Sequence, residues 1–245
     1  MKRLLLFAAA FLISLRATSQ VPDQSEQLRL QIWAELDNFP GKFEDDEEDN
    51  ADNENEDSTK SGKKGTLFDQ LYSDAIKRAK LVSPFLAGGF LHGWTFDYTP
   101  SDKGRGVEDY WEFTPKREFD PTVNHLSYRE PLVKDGRLLC WVYCDRTEAQ
   151  KAEYKLWTSI LRPKVHGQGE GLVEDGFEGI RQACSQAARD AVRSYWRTME
   201  KNKPKEISGQ LLLTGSPRIY IKNGRYVADL EFLLDSERIV RYQTY

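Results

Sequence analysis

The chain is poor in the residues that most often announce chemistry. It has three cysteines, three histidines and two methionines in 245 residues. Cys140, Cys144 and Cys184 make an odd set, which argues against a disulfide framework. Cys140 and Cys144 lie in Leu138-Leu139-Cys140-Trp141-Val142-Tyr143-Cys144. In a strand, positions four apart share a face but stand ~13 Å apart, too far to bridge. Three free, mostly buried thiols are expected, with a bridge to Cys184 as the alternative. His92, His125 and His166 have no ligand spacing to a cysteine, so no metal is expected. There is no G-x-S-x-G elbow, H-E-x-x-H pair or P-loop, and no cofactor is expected.

Long apolar runs are also missing, apart from Leu4–Leu15 behind Lys2 and Arg3. At about twelve residues this run is shorter than the ~20 that span a bilayer. With Ala17-Thr18-Ser19 after it, residues 1–19 read as a cleaved signal peptide and Gln20 as the mature start. The chain is therefore expected to be exported, periplasmic above all, with secretion or surface display as the alternatives. No integral membrane span is expected after cleavage. Loss of Lys2, Arg3 and Arg16 takes 35 basic residues to 32 against 39 acidic. Ten of those carboxylates lie in the fourteen residues Glu44–Asp57. The remainder is nearly balanced and presents no concentrated basic stretch, so nucleic acid is not an expected partner.

What is present is patterned as α+β: a mainly antiparallel sheet with packed helices, plus an N-terminal helix on a disordered acidic linker. Residues 20–42 hold the N-terminal amphipathic helix, read over 23–39 from Leu28, Ile32, Trp33, Leu36 and Phe39. Residues 43–65 form the linker, too polar to bury surface that would offset its ordering entropy. Its acidic run lacks the glycine turn of a calcium loop. Residues 66–245 form the body, with a sub-boundary near 163–175.

Within the body, Leu67, Leu71, Ala75, Ile76 and Ala79 predict a helix ending at Pro84. Period-two alternation from Phe90 to Tyr98 and from Val107 to Phe113 predicts a hairpin around Pro100–Gly106. Residues 115–136 read as irregular, with a short strand at Leu132–Val133, and the cysteine strand follows over 137–144. Asp145 and Glu148 start a helix that buries Ala149, Ala152, Leu156, Trp157 and Ile160. Gly167-Gln168-Gly169-Glu170-Gly171 reads as a flexible connector. The alanine-rich stripe from Ile180 to Met199 predicts the clearest helix, over 176–200. Ile207–Thr214 is a strand. Asn223-Gly224 between Arg218–Lys222 and Arg225–Leu234 predicts a type I′ hairpin pairing Ile221 with Tyr226 and Ile219 with Ala228.

The candidate site lies in the first hairpin. Trp94, Tyr98, Tyr110 and Trp111 are expected to form a stacking platform for sugar rings or a partner protein, with Asp102 and Arg105 supplying polar contacts at the tip. The competing expectation is that helices cover one face of the hairpin and an irregular segment the other, which makes the rings core. No residue group points to catalysis; acidic pairs such as Glu108/Asp109 and Glu174/Asp175 keep an exported hydrolase of envelope glycan or peptide as the alternative.

The run from Gly93 through Tyr98, Asp102, Arg105 and Tyr110 to Glu112, followed by the alanine-rich helix and Asn202-Lys203-Pro204, resembles uncharacterised exported proteins of spirochaete bacteria. The likeness covers roughly residues 66–235. It implies a bacterial envelope protein with an envelope protein or glycan as partner, and it carries no catalytic residues.

Overall fold

A computed structural model describes residues 25–36, 67–159, 162–199 and 204–242 of the chain. The expected signal peptide and acidic linker lie outside the described residues. The fold is α+β, as expected. Every strand pairing among the described residues is antiparallel.

The first element corrects an expectation. Gln27–Glu35 is not a helix but a strand, β1. Leu-Arg-Leu-Gln-Ile-Trp-Ala-Glu alternates with period two, and Leu28, Leu30, Ile32 and Ala34 are all buried. The helical reading leaves out Leu30, which is only 2% exposed. β1 pairs with β5 (Arg137–Asp145), setting Leu28 opposite Cys144 and Ile32 opposite Cys140. The two ends are stapled. Arg146 N–H donates to the Glu26 carbonyl at 3.1 Å and Leu36 N–H to the Gly136 carbonyl at 2.9 Å. β1 is thus part of the body, not a tethered helix.

β4 (Leu126–Lys134) completes a three-stranded sheet in the order β1-β5-β4. It is longer than the two-residue strand expected there. Asp135 and Gly136 turn the chain back into β5 with positive φ at both positions, 52° and 72°.

Two helices precede the main sheet: α1 (Leu67–Leu71) and α2 (Ser73–Leu91). Pro84 does not end α2. The stretch after it is almost wholly apolar, with Leu86, Ala87, Phe90 and Leu91 buried, and its burial outweighs the ~3 kcal/mol cost of an interior proline. The strand expected from Phe90 accordingly starts only at Trp94.

The main sheet has five strands in the order β3-β2-β7-β8-β6. These are β2 (Trp94–Thr99), β3 (Tyr110–Pro115), β6 (Lys164–Leu172), β7 (Glu206–Lys222) and β8 (Arg225–Val240). α3 (Glu148–Ser159) lies between β5 and β6, and α4 (Gly176–Met199) between β6 and β7. α2 packs against both sheets, contacting β1 and β5 on one side and β7 on the other. α4 packs on β6 and β8.

The β7–β8 hairpin has the expected register, with Ile221 opposite Tyr226 and Ile219 opposite Ala228. Asn223 and Gly224 have φ of 53° and 71°, as a type I′ turn requires. Strand Ile207–Thr214 and strand Arg218–Lys222 are one strand, interrupted by a bulge between Thr214 and Arg218.

The glycine run is not a connector. Gly167, Gly169 and Gly171 are alternate residues of β6, all buried beneath α4. An added Cβ at Gly167 would lie 2.1 Å from the Ala187 carbonyl oxygen, and one at Gly171 would lie 1.9 Å from that of Gly179. Helix and strand meet backbone to backbone, which only glycine on one side and alanine on the other allow. β6 pairs along its whole length with β8, so no boundary divides the body at 163–175.

α3 presents a different face from the one expected. Of the expected face Trp157 is buried, but Ala149, Ala152 and Leu156 are exposed and Gln150 is buried instead; Ile160 lies outside the described residues. The cap is Thr147 with Gln150 rather than Asp145 with Glu148. The Gln150 N–H donates to Thr147 Oγ1 at 3.3 Å, and the Thr147 N–H donates to Gln150 Oε1 at 2.9 Å.

Candidate functional site

The aromatic hairpin is present, but its rings do not make one platform. Phe96 pairs with Phe113 and Tyr98 with Trp111, so Trp94, Phe96, Tyr98, Trp111 and Phe113 point to the helix-covered face. Trp94 and Tyr98 are 2% and 3% exposed, core residues that cannot stack on a ligand. Tyr110 points to the opposite face and its hydroxyl donates to Glu112 at 2.6 Å. The tip residues serve their own turn. Asp102 pairs with Arg105 at 2.5 Å and accepts the Gly104 N–H at 3.0 Å. The bond from Arg105 holds the Asp102 carboxyl below its usual range. Arg105 also lies over the Tyr242 ring, 4.1 Å from its centroid.

What the hairpin builds instead is one wall of a groove. Phe85 from α2 and Phe113 and Pro115 from β3 line it, with the edge of Trp94 at its base. Trp94 stacks on Phe113 with centroids 5.1 Å apart, and Phe85 meets Trp94 at 5.6 Å. The opposite wall is the polar side of α4: Glu178, Arg181, Gln182, Ser185 and Gln186. The cavity between the walls has a volume of about 320 Å³. Trp111 ties them together at one end, its indole N–H donating to Ser185 Oγ at 2.9 Å. Beyond it, Arg189 of α4 pairs with Asp109 at 3.1 Å. Glu178 is the one carboxylate in the lining, and it pairs with Arg181 at 3.3 Å. Phe85, Trp111 and Phe113 are half-buried, so ring surface remains available to a ligand.

Two polar groupings escaped the sequence reading. One is buried where the C-terminal end of α2 meets α3. The side-chain amides of Asn124 and Gln150 bond each other twice, at 3.0 and 2.8 Å, and Gln150 Nε2 stands 3.5 Å from His92 Nε2. Arg146, 4% exposed, donates to the Phe90 carbonyl at 3.3 Å and stacks on Tyr154. Burial lowers the His92 pKa, which keeps the imidazole neutral. This network joins Asn124 to α3, and it leaves the buried His92 Nδ1 without a hydrogen-bond partner among the described residues.

The other lies on the outer face of the main sheet, where Asp229 accepts from His166 and from Arg218, the latter at 2.5 Å. The hairpin register already places Arg218 opposite Asp229. His166 was hidden by reading β6 as a connector.

The thiols are free and buried, as expected. Burial pushes Cys140 up to about 11 and Cys184 up to about 12, far from the range of a reactive thiolate. Among the described residues, no helix is long and apolar enough to cross a membrane.

A family model matches this chain over residues 15–242. A protein of Treponema pallidum (strain Nichols), titled "Uncharacterized protein", is 28% identical over 164 residues, covering 67% of this chain and 69% of that relative. No solved structure matches. The spirochaete likeness read from the hairpin is therefore borne out, and with a family match running over nearly its whole length, the chain belongs to a family of uncharacterised spirochaete proteins.

Proposed function

We propose that this chain is an exported protein of the cell envelope, periplasmic, which binds a stretch of envelope glycan without transforming it. The observation that carries the reading is the opposition of half-buried rings, Phe85 and Phe113, to the amides of Gln182 and Gln186 across one groove. Sugars offer apolar C–H faces to rings and hydroxyls to amides, so each wall meets one aspect of the same ligand. Acid–base hydrolysis needs two facing carboxyl groups, whereas the groove lining offers Glu178, already paired with Arg181. Export rests on Lys2, Arg3, the run Leu4–Leu15 and Ala17-Thr18-Ser19.

The test is titration of the chain from Gln20 onward with soluble fragments of envelope glycan, followed by tryptophan emission and calorimetry. The wild type is expected to bind. Phe113→Ala and Gln182→Ala are each expected to weaken binding at least tenfold while unfolding in the same cooperative manner. Undiminished binding by both variants refutes the groove, and release of shortened fragments refutes the non-enzymatic role.

A further inference from the structure

The solvent-facing side of the three-stranded sheet is built in rows that cross the strands. It consists of the odd-numbered residues of β1 and β5, whose even-numbered neighbours are buried, and the β4 residues opposite them. The two registers set Trp33 beside Leu139 and Leu139 beside Leu132, an apolar row in which Leu132 is 56% exposed. The pair Arg137–Lys134 flanks this row on one side and the pair Trp141–Arg129 on the other. Guanidinium groups stand over the rings of this side. Arg137 lies 4.6 Å from the Trp33 centroid, Arg29 lies 3.9 Å from that of Trp141, and Arg129 lies 4.8 Å from that of Tyr143. Stacking holds each cation at the level of its ring rather than far out in water. The paired rows thus hold four cations against two carboxylates, Asp145 and Glu35, and Glu35 is paired with Arg137 at 2.9 Å. Glu130 falls in the β4 bulge, outside these rows. Arg29 and Arg137 are engaged within the sheet. Arg129 and Lys134 are exposed on the edge strand, and neither is in an ion pair among the described residues.

We propose that this side of the sheet docks on an anionic phospholipid bilayer, with the strands lying flat on the surface. Composition is the first argument. Leucine and tryptophan among arginine and lysine suit the boundary of a membrane, where apolar groups enter the acyl border and cations stay with the phosphates. Charge complementarity is the second. The paired rows are net positive, and each cation brought to an anionic leaflet raises partitioning about fivefold. Arg129 and Lys134, on the strand at the sheet's edge, are the cations that meet the headgroups. Shape is the third. Three strands of this length give a plane of roughly 10 by 30 Å, and α2 packs against β1 and β5. A soluble acidic polymer satisfies the same cations but offers the Trp33–Leu139–Leu132 row nothing apolar. A bilayer meets both at once.

The experiment titrates the chain from Gln20 onward, which lacks the apolar run Leu4–Leu15, with vesicles of three parts phosphatidylcholine to one part phosphatidylglycerol. Part of the phosphatidylcholine carries bromine near the headgroup end of its acyl chains, where it quenches tryptophan emission. Trp94, Trp157 and Trp196 are buried and Trp111 belongs to the other sheet, so quenching reports Trp33 and Trp141. Wild type is expected to be quenched by these vesicles and not by pure phosphatidylcholine with the same bromine. It is expected to be released in 1 M salt, where the screening length is about 3 Å. Arg129→Gln with Lys134→Gln is expected to weaken partitioning roughly 25-fold. Arg193→Gln with Arg197→Gln removes the same charge from exposed positions of α4 and is expected to leave partitioning unchanged. Absence of quenching at millimolar anionic lipid overturns the proposal, and so do equal losses in the two double variants. Binding of soluble polyglutamate without binding of vesicles also overturns it, because the partner is then an acidic protein. The lipid and salt comparisons use wild type alone, so they stand whatever the stability of the variants.

Discussion

Replacing Gly169 by alanine tests how the helix and the glycine strand meet. The new Cβ would lie 2.3 Å from both the Ala183 carbonyl oxygen and the Ala187 amide nitrogen, and 2.7 Å from the Gln186 carbonyl carbon. Contacts under 3.0 Å are not tolerated, and all three neighbours are helix backbone rather than flexible side chain. The helix must therefore retreat from β6 by about 1 Å, which forfeits roughly a quarter to a half of the dispersion energy along the contact. Overpacking costs about 1–3 kcal/mol, and the upper end applies where backbone faces backbone. The smaller entropy of alanine in the unfolded chain returns about 0.4–1 kcal/mol. The net loss is about 2–2.6 kcal/mol. With a urea dependence of about 2 kcal/mol per molar, the midpoint falls by about 1–1.5 M. Urea unfolding followed by tryptophan emission measures it. Gly104→Ala is the reference, since its Cβ would meet only Asp102 Oδ1 at 3.4 Å in an exposed turn; it is expected to stay within ~0.5 kcal/mol of wild type. A Gly169→Ala midpoint within about 0.2 M of wild type refutes the close approach of α4 to β6.

Two further expectations concern titratable groups. Burial keeps His92 below its ordinary value of 6.5, and among the charges around it Glu153 opposes that shift while Arg117, Lys116 and Arg146 add to it. The unfolded chain takes up this proton more readily, so His92's contribution is intact above about pH 6.5 and is lost as pH falls through the lower folded value. Urea midpoints of wild type and His92→Gln compared at pH 7.5 and 5.0 check it: the wild type is expected to lose more on acidification, and parallel losses refute the assignment. The second concerns the thiols, which are expected to resist an aromatic disulfide reagent in the native protein and to react as three equivalents after denaturation. A thiol that reacts at once without denaturant contradicts the burial of Cys140, Cys144 and Cys184.

The sequence was readable where one local signal agreed with one pattern. Asn223-Gly224 and the flanking alternation select the same register, and the structure has it. α4 was readable because an apolar stripe of that length fits one period. β1 was misread because its residues fit two periods at once: Leu28, Ile32, Trp33 and Leu36 suit a helix, and Leu28, Leu30, Ile32 and Ala34 suit a strand. The arbiter is β5, more than a hundred positions away, which no local window contains. The glycines of β6 make sense only with α4 above them. The groove suffered likewise. Its aromatic wall was visible in the composition of the hairpin, but which rings turn inward follows from pairing Tyr98 with Trp111, and the polar wall comes from a helix seventy residues later. Asp135-Gly136 is a hairpin signal of the same kind as Asn223-Gly224, with positive φ at both residues.

The position of β1 has a consequence for the order in which the molecule assembles. β1, the first strand among the described residues, finds its partner only after residues 137–145 have been made. Until then Leu28, Leu30 and Ile32 have no sheet to join. Loop closure over such a separation is slow compared with local hairpins. A nascent chain of this design keeps β1 unpaired until β5 has been made, and a product truncated before Arg137 exposes a sticky apolar edge that chaperones or proteases must deal with.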